Sequence, residues 1–278
     1  MKRFLTNTLC TALLVALSAS SVFAGAWTRE KGKLYDKLGF NVYYADKNFD
    51  PDGGKSDFPN GGTFRDYNLN NYIEYGLTNN LTLINSLVYK RIDKNETTVD
   101  MTTWGVGDID VAARYKLAEG NWGILSVQAL LKIPSAYDKN DRLPLGNGQF
   151  DYEGKLLYGK SLYPHIPGYV NLELGYRFRD GDPSDEFRYL VEFGVDVSKS
   201  FYGRLKLDGI YSIDNGNKYA YDGNPTTTNN FDLGKLELTA GYKITPAWGL
   251  ELTFTPPLYG QNTAAGFNYA LGIFYQTP

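Results

Sequence analysis

The chain has 278 residues, and its 28 Lys and Arg against 31 Asp and Glu give a net charge of −3, which is no sign of a nucleic-acid partner. Its 23 Tyr and 30 Gly beside only 2 Met favour β-structure. Cys10 is the single cysteine, so no disulfide within the chain is predicted, and burial or a membrane must hold the fold.

The N-terminus has the three parts of a secretory signal peptide. Two positive residues open the chain, and an apolar run follows from Leu9 to Leu17. Val22 to Ala24 supply a small-x-small cleavage site. The run is too short to cross a bilayer as a helix, which needs about 20 apolar residues. We therefore predict a signal peptide over residues 1–24 and one domain over residues 25–278.

Alternation of apolar and polar residues with a period of two runs through the rest of the chain. In Phe187 to Val197, apolar side chains alternate with a set that includes Arg188, Glu192 and Asp196, as in a strand with one apolar face. Most such segments are ten to thirteen residues long, and a tilted strand needs about 9–11 residues to cross a bilayer. Twelve strands are predicted, starting near Lys33, Phe64, Leu81, Val106, Trp122, Gln149, Tyr169, Glu186, Phe201, Leu233, Gly249 and Gly266.

The connections between the predicted strands alternate in length, which is typical of outer-membrane barrels. The long polar loops are predicted at 46–62, 93–103, 135–148 and 214–230. The fold class is therefore all-β, an antiparallel transmembrane β-barrel of about 12 strands in the bacterial outer membrane. A soluble sandwich or lipocalin-like barrel is the structural alternative. A β-propeller fits less well, because each repeat would need four short strands where the chain has two long ones. No plug domain is predicted near residue 25.

The tryptophan positions support the barrel, and other aromatic residues bear on which solutes it recognises. The four tryptophans are predicted at strand ends, where barrels carry interfacial aromatic girdles. They are Trp27, Trp104, Trp122 and Trp248. Five further aromatic residues are predicted to face the lumen: Tyr35, Tyr43, Tyr72, Tyr202 and Phe274.

Neither catalysis nor metal binding is predicted. His165 is the single histidine, and it falls in a proline-rich turn rather than on a strand beside a serine and an orienting group. Asp46, Asp50, Asp52 and Asp57 surround two glycines, but their spacing misses the EF-hand pattern and is typical of a solvated loop. We predict no catalytic residue, no metal and no cofactor.

The charges predicted to face the lumen are balanced, with 13 basic and 12 acidic residues. A channel for acidic sugars would be lined mainly by Arg and Lys, and a cation channel by acids, so the lumen favours neither. Eight of these charges fall in the outer half, where acidic and basic strands nearly alternate and opposite charges can pair. As candidates for a selectivity zone they are Asp108, Asp110, Lys132, Asp151, Glu153, Arg177, Arg179 and Arg188. The alternative is that they pair with one another and close a small barrel.

Several segments resemble the phenol meta-pathway degradation family of outer-membrane proteins. Gly105 to Tyr115 (GVGDIDVAARY) resembles its Gly-x-Gly-Asp strand, and the resemblance extends over residues 64–278. Pro134-Ser135-Ala136 stands where a Pro-Thr-Gly-like turn is common, so that loop departs from the family pattern. The resemblance implies a barrel that moves aromatic compounds, and it carries over no catalytic or binding residue. The other matching segments are Leu131 to Pro134, Leu145 to Asp151, Leu174 to Arg179 and Pro183 to Glu186.

The functional prediction is passive passage of small molecules, aromatic or hydrophobic ones among them, across the outer membrane. The alternative is a non-transporting structural or surface-interaction barrel whose lumen is sealed by ion pairs. A barrel enzyme is disfavoured because no histidine is predicted in the lumen. The expected partners are outer-membrane lipids, the barrel-assembly machinery and small-molecule solutes.

Overall fold

The computed structural model describes residues 25–181, 183–213 and 228–278. In these ranges an antiparallel sheet closes into a barrel of twelve strands, as predicted. The predicted signal peptide and most of the predicted loop 214–230 lie outside the described residues. Sixteen strands are numbered in the described residues, because three short strands outside the wall and the two parts of one interrupted wall strand are counted separately. They are β1 (Leu34–Ala45), β2 (Lys47–Phe49), β3 (Lys55–Asp57), β4 (Thr63–Thr78), β5 (Leu81–Asn95), β6 (Asp100–Gly120), β7 (Gly123–Ile133), β8 (Asp151–Ser161), β9 (Gly168–Arg179), β10 (Glu186–Asp196), β11 (Phe201–Ser212), β12 (Asp232–Lys243), β13 (Trp248–Thr255), β14 (Pro257–Gln261), β15 (Thr263–Ala264) and β16 (Phe267–Gln276).

The barrel closes because its first and last long strands pair. β1 lies between β4 and β16, and β11 pairs with β12 on the opposite side. β13 and β14 both pair with β12 and together form one interrupted strand of the wall. The short strands β2, β3 and β15 form a separate three-stranded sheet above the wall, and a 3₁₀ turn at Pro59–Gly61 follows β3.

Cross-strand register sorts polar side chains to the lumen and apolar side chains to the outside. Glu192 of β10 lies opposite Lys206 of β11, and the next pair, Phe193 and Leu205, points outward. Outward-facing leucines such as Leu174 are strongly exposed, at 67%. Exposed apolar surface on this scale fits a wall that faces lipid, as in outer-membrane barrels.

Among the described residues, no helix is long and apolar enough to cross a membrane. Short turns close one end of the barrel, which by the rule for outer-membrane barrels faces the periplasm, and the longer loops mark the outer end. Trp104, Trp122 and Trp248 are all exposed near strand ends, in agreement with the predicted girdles.

Two strands extend further at the outer end than the sequence predicts. β5 continues to Asn95 and β6 begins at Asp100, so the predicted loop 93–103 is wrong. Asp93 lies opposite Thr102, whose hydroxyl donates a 2.7 Å hydrogen bond to the carboxylate. The strand pattern is hidden here because the outward side chains are polar. They bond to one another instead of facing lipid with apolar groups.

The largest departure from the prediction concerns residues 25–33, called here the N-terminal segment, which folds back into the periplasmic end of the barrel. Ala26 packs in the lumen against Ile124 and Leu157, with Trp27 beside them. The Trp27 ring lies 5.5 Å from that of Tyr169. The girdle position predicted for Trp27 is therefore wrong, and a short segment that the sequence did not predict occupies the lumen there, although it is not a plug domain. Alternation describes wall strands and carries no information about a segment inside them.

The outer end of the lumen holds a small apolar core, called here the outer apolar cluster. Phe64 and Ile92 project inward from β4 and β5, and Phe58, Leu143 and Leu145 reach them from the loops that follow β3 and β7. All five side chains are buried. The two loops are therefore anchored to the wall by the same hydrophobic burial that stabilises a soluble core.

Phe58→Ala is expected to loosen the loop that follows β3. Large-to-small core substitutions of this kind cost about 3–5 kcal/mol, and here that loss falls on the loop's attachment. Limited trypsin digestion of the folded protein should then cleave faster at Lys55, which is exposed. Phe150→Ala is the matched control because Phe150 is already 40% exposed, and equal cleavage of both variants would contradict the anchoring role.

Candidate functional site

The candidate site is a cavity of about 960 Å³ inside the barrel. It runs from the N-terminal segment toward the outer ends of β12 and β14, and almost every strand of the barrel contributes to its lining. Its volume lies within the range of small-molecule sites, about 300–1,000 Å³. Most of the residues that line it are polar or charged, so its chemistry depends on how those groups are paired.

At the periplasmic end, one buried carboxylate joins the N-terminal segment to the wall. Arg29 Nε donates to Glu74 Oε2 at 2.7 Å, and Arg114 Nη1 lies 3.2 Å from Glu74 Oε1. The same Arg114 nitrogen donates to the backbone oxygen of Trp27 at 3.0 Å. The Glu74 side chain is almost fully buried, at 1% exposure. The ion pairs therefore act where water does not screen them.

Backbone contacts complete the attachment of the N-terminal segment. The backbone N–H of Gly32 donates to the Gly76 oxygen at 2.7 Å, and the N–H of Gly76 donates to the Lys33 oxygen at 2.9 Å. A Cβ atom at Gly76 would lie 2.0 Å from the Glu30 oxygen. Glycine at position 76 is thus what lets the segment lie against β4.

Deeper contacts hold the first residues of the segment. The Asn171 side-chain oxygen accepts from the Ala26 N–H at 3.0 Å, and the Ser126 hydroxyl donates to the Ala26 oxygen. Ser126 and Asn171 are themselves buried. The backbone polar groups of Ala26 therefore find partners in the wall, as a buried peptide requires.

A second buried carboxylate, Glu251, neutralises the opposite side of the lumen. Arg204 Nη2 lies 2.7 Å from Glu251 Oε1, and Lys37 Nζ contacts the other oxygen. The Tyr202 hydroxyl also donates to Glu251, at 2.6 Å. The Tyr35 ring lies beside these groups, so the inward positions predicted for Tyr35 and Tyr202 are confirmed.

Seven of the eight predicted site residues meet in one ion-pair network, called here the outer charge network. Lys132 Nζ lies 3.4 Å from Asp108 and 3.0 Å from Asp151. Arg177 Nε donates to Glu153 at 2.7 Å. Cross-strand pairing therefore joins β6, β7, β8 and β9, as the alternation of acidic and basic strands predicts.

Glu186 completes the outer charge network and was not among the predicted site residues. Arg179 Nη1 lies 3.0 Å from Glu186 Oε1, and Arg188 Nη1 lies 3.2 Å from Glu186 Oε2. Arg179 also donates to the backbone oxygen of Asn229 at 2.6 Å. Glu186 opens β10 at the outer end, and its sequence position alone does not show that two arginines converge on it.

The loop after β7 is bound to the outer charge network. The Tyr137 hydroxyl donates to Asp108, and Lys132 donates to the Asn147 side chain at 3.0 Å. Burial, together with the hydrogen bond to Asp108, raises the pKa of Tyr137 above its usual range. Tyr137 therefore stays protonated and remains a donor, which keeps the loop attached at neutral pH.

Asp110 is set apart from the other seven predicted residues. Asp110 lines the cavity, whereas the seven residues of the outer charge network are not among the residues that line the cavity. Its carboxylate makes no ion pair within 4.0 Å among the described residues. The sequence alone cannot distinguish Asp110 from the other seven residues. It predicts the strand and the face of each residue, but not which carboxylates Lys132 pairs with.

Two kinds of cavity residue are not predicted from the sequence. Arg29 was missed because the N-terminal segment has no strand period. Four asparagines were not predicted, because only charged and aromatic lumen positions were taken as candidates, although alternation places these asparagines on the inward face. They are Asn41, Asn68, Asn70 and Asn268.

The residues that were weighed for catalysis or metal binding lie outside the cavity. His165 is exposed in the turn between β8 and β9. Asp50 accepts a hydrogen bond from the Ser56 hydroxyl at 2.6 Å, beside the small sheet. The described ranges contain no cluster of three or more metal-type side chains.

No protein-family model matches the chain, and no curated protein matches it. Solved structures of other proteins do match it in fold. The COG4313 outer membrane channel from Pseudomonas putida F1 superposes with a TM-score of 0.73 at 19% identity, over 92% of this chain and 100% of that one. The KdgM porin gives 0.51 at 10% identity, over 87% and 99%. The NanC porin gives 0.50 at 10%, over 86% and 100%. The chain thus has the fold of outer-membrane barrels.

Glu74→Gln is expected to destabilise the barrel and to release the N-terminal segment. Removing one partner of a buried ion pair costs about 3–5 kcal/mol, because the remaining charge stays buried. Urea unfolding in detergent micelles would measure the loss. Glu119→Gln is the control, since the exposed pair of Glu119 with Lys116 is worth at most about 1 kcal/mol. Equal losses in the two variants would contradict the role given to Glu74.

Proposed function

We propose that the protein allows passive passage of small molecules across the outer membrane through the lumen cavity. The observation that carries the proposal is a cavity of about 960 Å³ that runs within the barrel from the N-terminal segment toward the outer end. A purely structural barrel has no need of an interior volume lined by polar groups. The fold, shared with outer membrane channels and porins, supports the same conclusion.

Aromatic solutes form part of the proposal. Tyr35, Tyr43 and Tyr72 line the cavity, and aromatic pairs contribute about 0.5–1.5 kcal/mol beyond burial. The resemblance to the phenol meta-pathway degradation family points to the same class. Strongly apolar solutes are disfavoured, because most of the other lining residues are polar or charged and would lose hydrogen bonds to water.

The N-terminal segment is the part of the route that must move. It is held by hydrogen bonds and ion pairs to the wall, whereas each wall strand is bonded along both edges. Displacement of the segment would extend the cavity toward the periplasm without breaking the barrel. Low-stability elements of this kind are the ones that open in native proteins.

The second candidate is the sealed, non-transporting barrel. The specific observation in its favour is that the outer charge network satisfies itself and is tied to the loop after β7. For the seven network residues we propose a mainly structural role, with Asp110 as the member of the original eight that contacts solutes. Outer-membrane lipids and the barrel-assembly machinery remain the expected partners of either barrel.

Gly76→Ala is expected to increase single-channel conductance in a planar bilayer. The added Cβ would lie 2.0 Å from the Glu30 oxygen and push the N-terminal segment out of the lumen. Gly154→Ala is the matched control, because a Cβ there meets nothing within 4 Å. A folded Gly76→Ala barrel without any conductance would favour the sealed barrel.

Asp110→Asn and Arg177→Ala are expected to differ in kind. Asp110→Asn removes a charge from the cavity lining, so the reversal potential in a salt gradient should shift toward anions with little change in unfolding midpoint. Arg177→Ala removes one cation from Glu153 and Asp151, and both carboxylates keep others. Stability should therefore fall by about 1.5–3 kcal/mol, the contribution of a hydrogen bond to a charged group. An unchanged reversal potential in Asp110→Asn would remove Asp110 from the solute path.

A further inference from the structure

One wall of the cavity is built from asparagines. Asn41 of β1 lies directly opposite Asn68 of β4, and Asn70 lies two residues further along β4, opposite Gly39. Asn268 of β16 lies opposite Tyr43 on the other side of β1. All four asparagines line the cavity. They are called here the amide wall, and it carries no charge of its own.

The amide wall has hydrogen-bonding capacity that the protein leaves unused. Each amide has two N–H donors and a carbonyl oxygen that accepts two bonds. Asn268 donates to Asn41 Oδ1 at 3.3 Å, and Asn70 donates to the Ser86 hydroxyl at 3.3 Å. Both distances exceed the usual 2.7–3.2 Å for such bonds, whereas Asn68 donates an ordinary 2.9 Å hydrogen bond to Asp66. Among the described residues, nothing donates to the side-chain oxygens of Asn70 and Asn268.

The neighbours of the amide wall leave room for a ligand. Gly39 lies opposite both Asn70 and Gly272, and Ala270 lies opposite Asn41. All three small residues also line the cavity. No long side chain from these positions covers the amides, so a solute can approach them closely.

The wall across the lumen carries charge in neutral pairs. Lys206 Nζ lies 2.8 Å from Glu237, and Lys235 Nζ lies 3.3 Å from Asp208. All four residues line the cavity. At these pairs a charged solute would lose its hydration without gaining a full counter-charge, and at the amide wall an apolar solute would leave the amides unpaired.

We infer that the amide wall is a binding site for neutral polyhydroxylated solutes, such as short saccharides. A hydroxyl group both donates and accepts, so neighbouring hydroxyls match the alternating N–H and C=O groups of amides. This inference rests on the proposed passage function and adds neutral saccharides to the aromatic solutes proposed for it. Tyr43 and Tyr72 also line the cavity and offer ring faces to the apolar side of a sugar.

The test is block of the single-channel current by maltotriose, with phenol and a charged trisaccharide, trigalacturonate, as comparison solutes. The full chain is used in wild-type and Gly76→Ala forms. Maltotriose is expected to reduce the open current at lower concentration than either comparison solute. In Asn41→Leu/Asn70→Leu the half-blocking concentration should rise tenfold or more. Asn85→Leu is the matched control, because Asn85 lies on the lipid-facing side of β5, two residues from Leu87.

The outcomes separate the two proposals. An open channel that maltotriose blocks no better than phenol would overturn the amide-wall inference and leave passage intact. A barrel without conductance in both forms would overturn passage, and equilibrium dialysis of labelled maltotriose against the folded protein then tests the amide wall alone. If Asn41→Leu/Asn70→Leu fails to fold, Asn70→Ala alone, checked by heat-modifiable migration, replaces it. Equal binding by that variant and wild type would also contradict the inference.

Discussion

The structure depends on the neutralisation of charge inside a closed wall. Closing the sheet removes every exposed strand edge and turns the polar face of each strand toward the barrel interior. A buried charge without a partner is costly, so the inward acids and bases must meet. Glu74, Glu251 and Glu153 are each almost fully buried and each contacts at least two cations. Where these clusters form, the lumen is filled, and the cavity is what remains between them.

Most of the wall could be predicted from the sequence because membrane strands obey a local rule. A period of two follows from one lipid face and one lumen face, and β10 keeps it from Phe187 to Val195 apart from Leu190, an apolar residue on the lumen face. The rule fails where its physical cause is absent. Asp93 and Thr102 lie in strand extensions whose outward side chains bond to each other. Trp27 lies inside the barrel, where neither lipid nor strand pairing imposes a period.

The candidate site could be predicted only in part, for a related reason. Alternation and strand direction bring Lys132, Asp151 and Arg177 together, because these follow from register. What fills the lumen beside them does not follow from register. The loop after β7 binds Asp108 through Tyr137. Lys132 forms ion pairs with Asp108 and Asp151 but not with Asp110. A long side chain selects among several partners within reach, and sequence does not record that selection.

The pairing at Glu74 bears on whether the lumen can open. Glu74 binds Arg29 of the N-terminal segment with one oxygen and Arg114 of the wall with the other. When the segment leaves, Arg29 goes with it into water, and Glu74 keeps Arg114 as a one-to-one pair. The wall is then neutral at this point, so opening does not strand a buried carboxylate. The groups left behind, Ser126 and Asn171, are uncharged and can be hydrated by water entering the lumen. Release of the segment therefore breaks one ion pair, several hydrogen bonds and the apolar contacts of Ala26 and Trp27. The strand pairing of the wall is left intact.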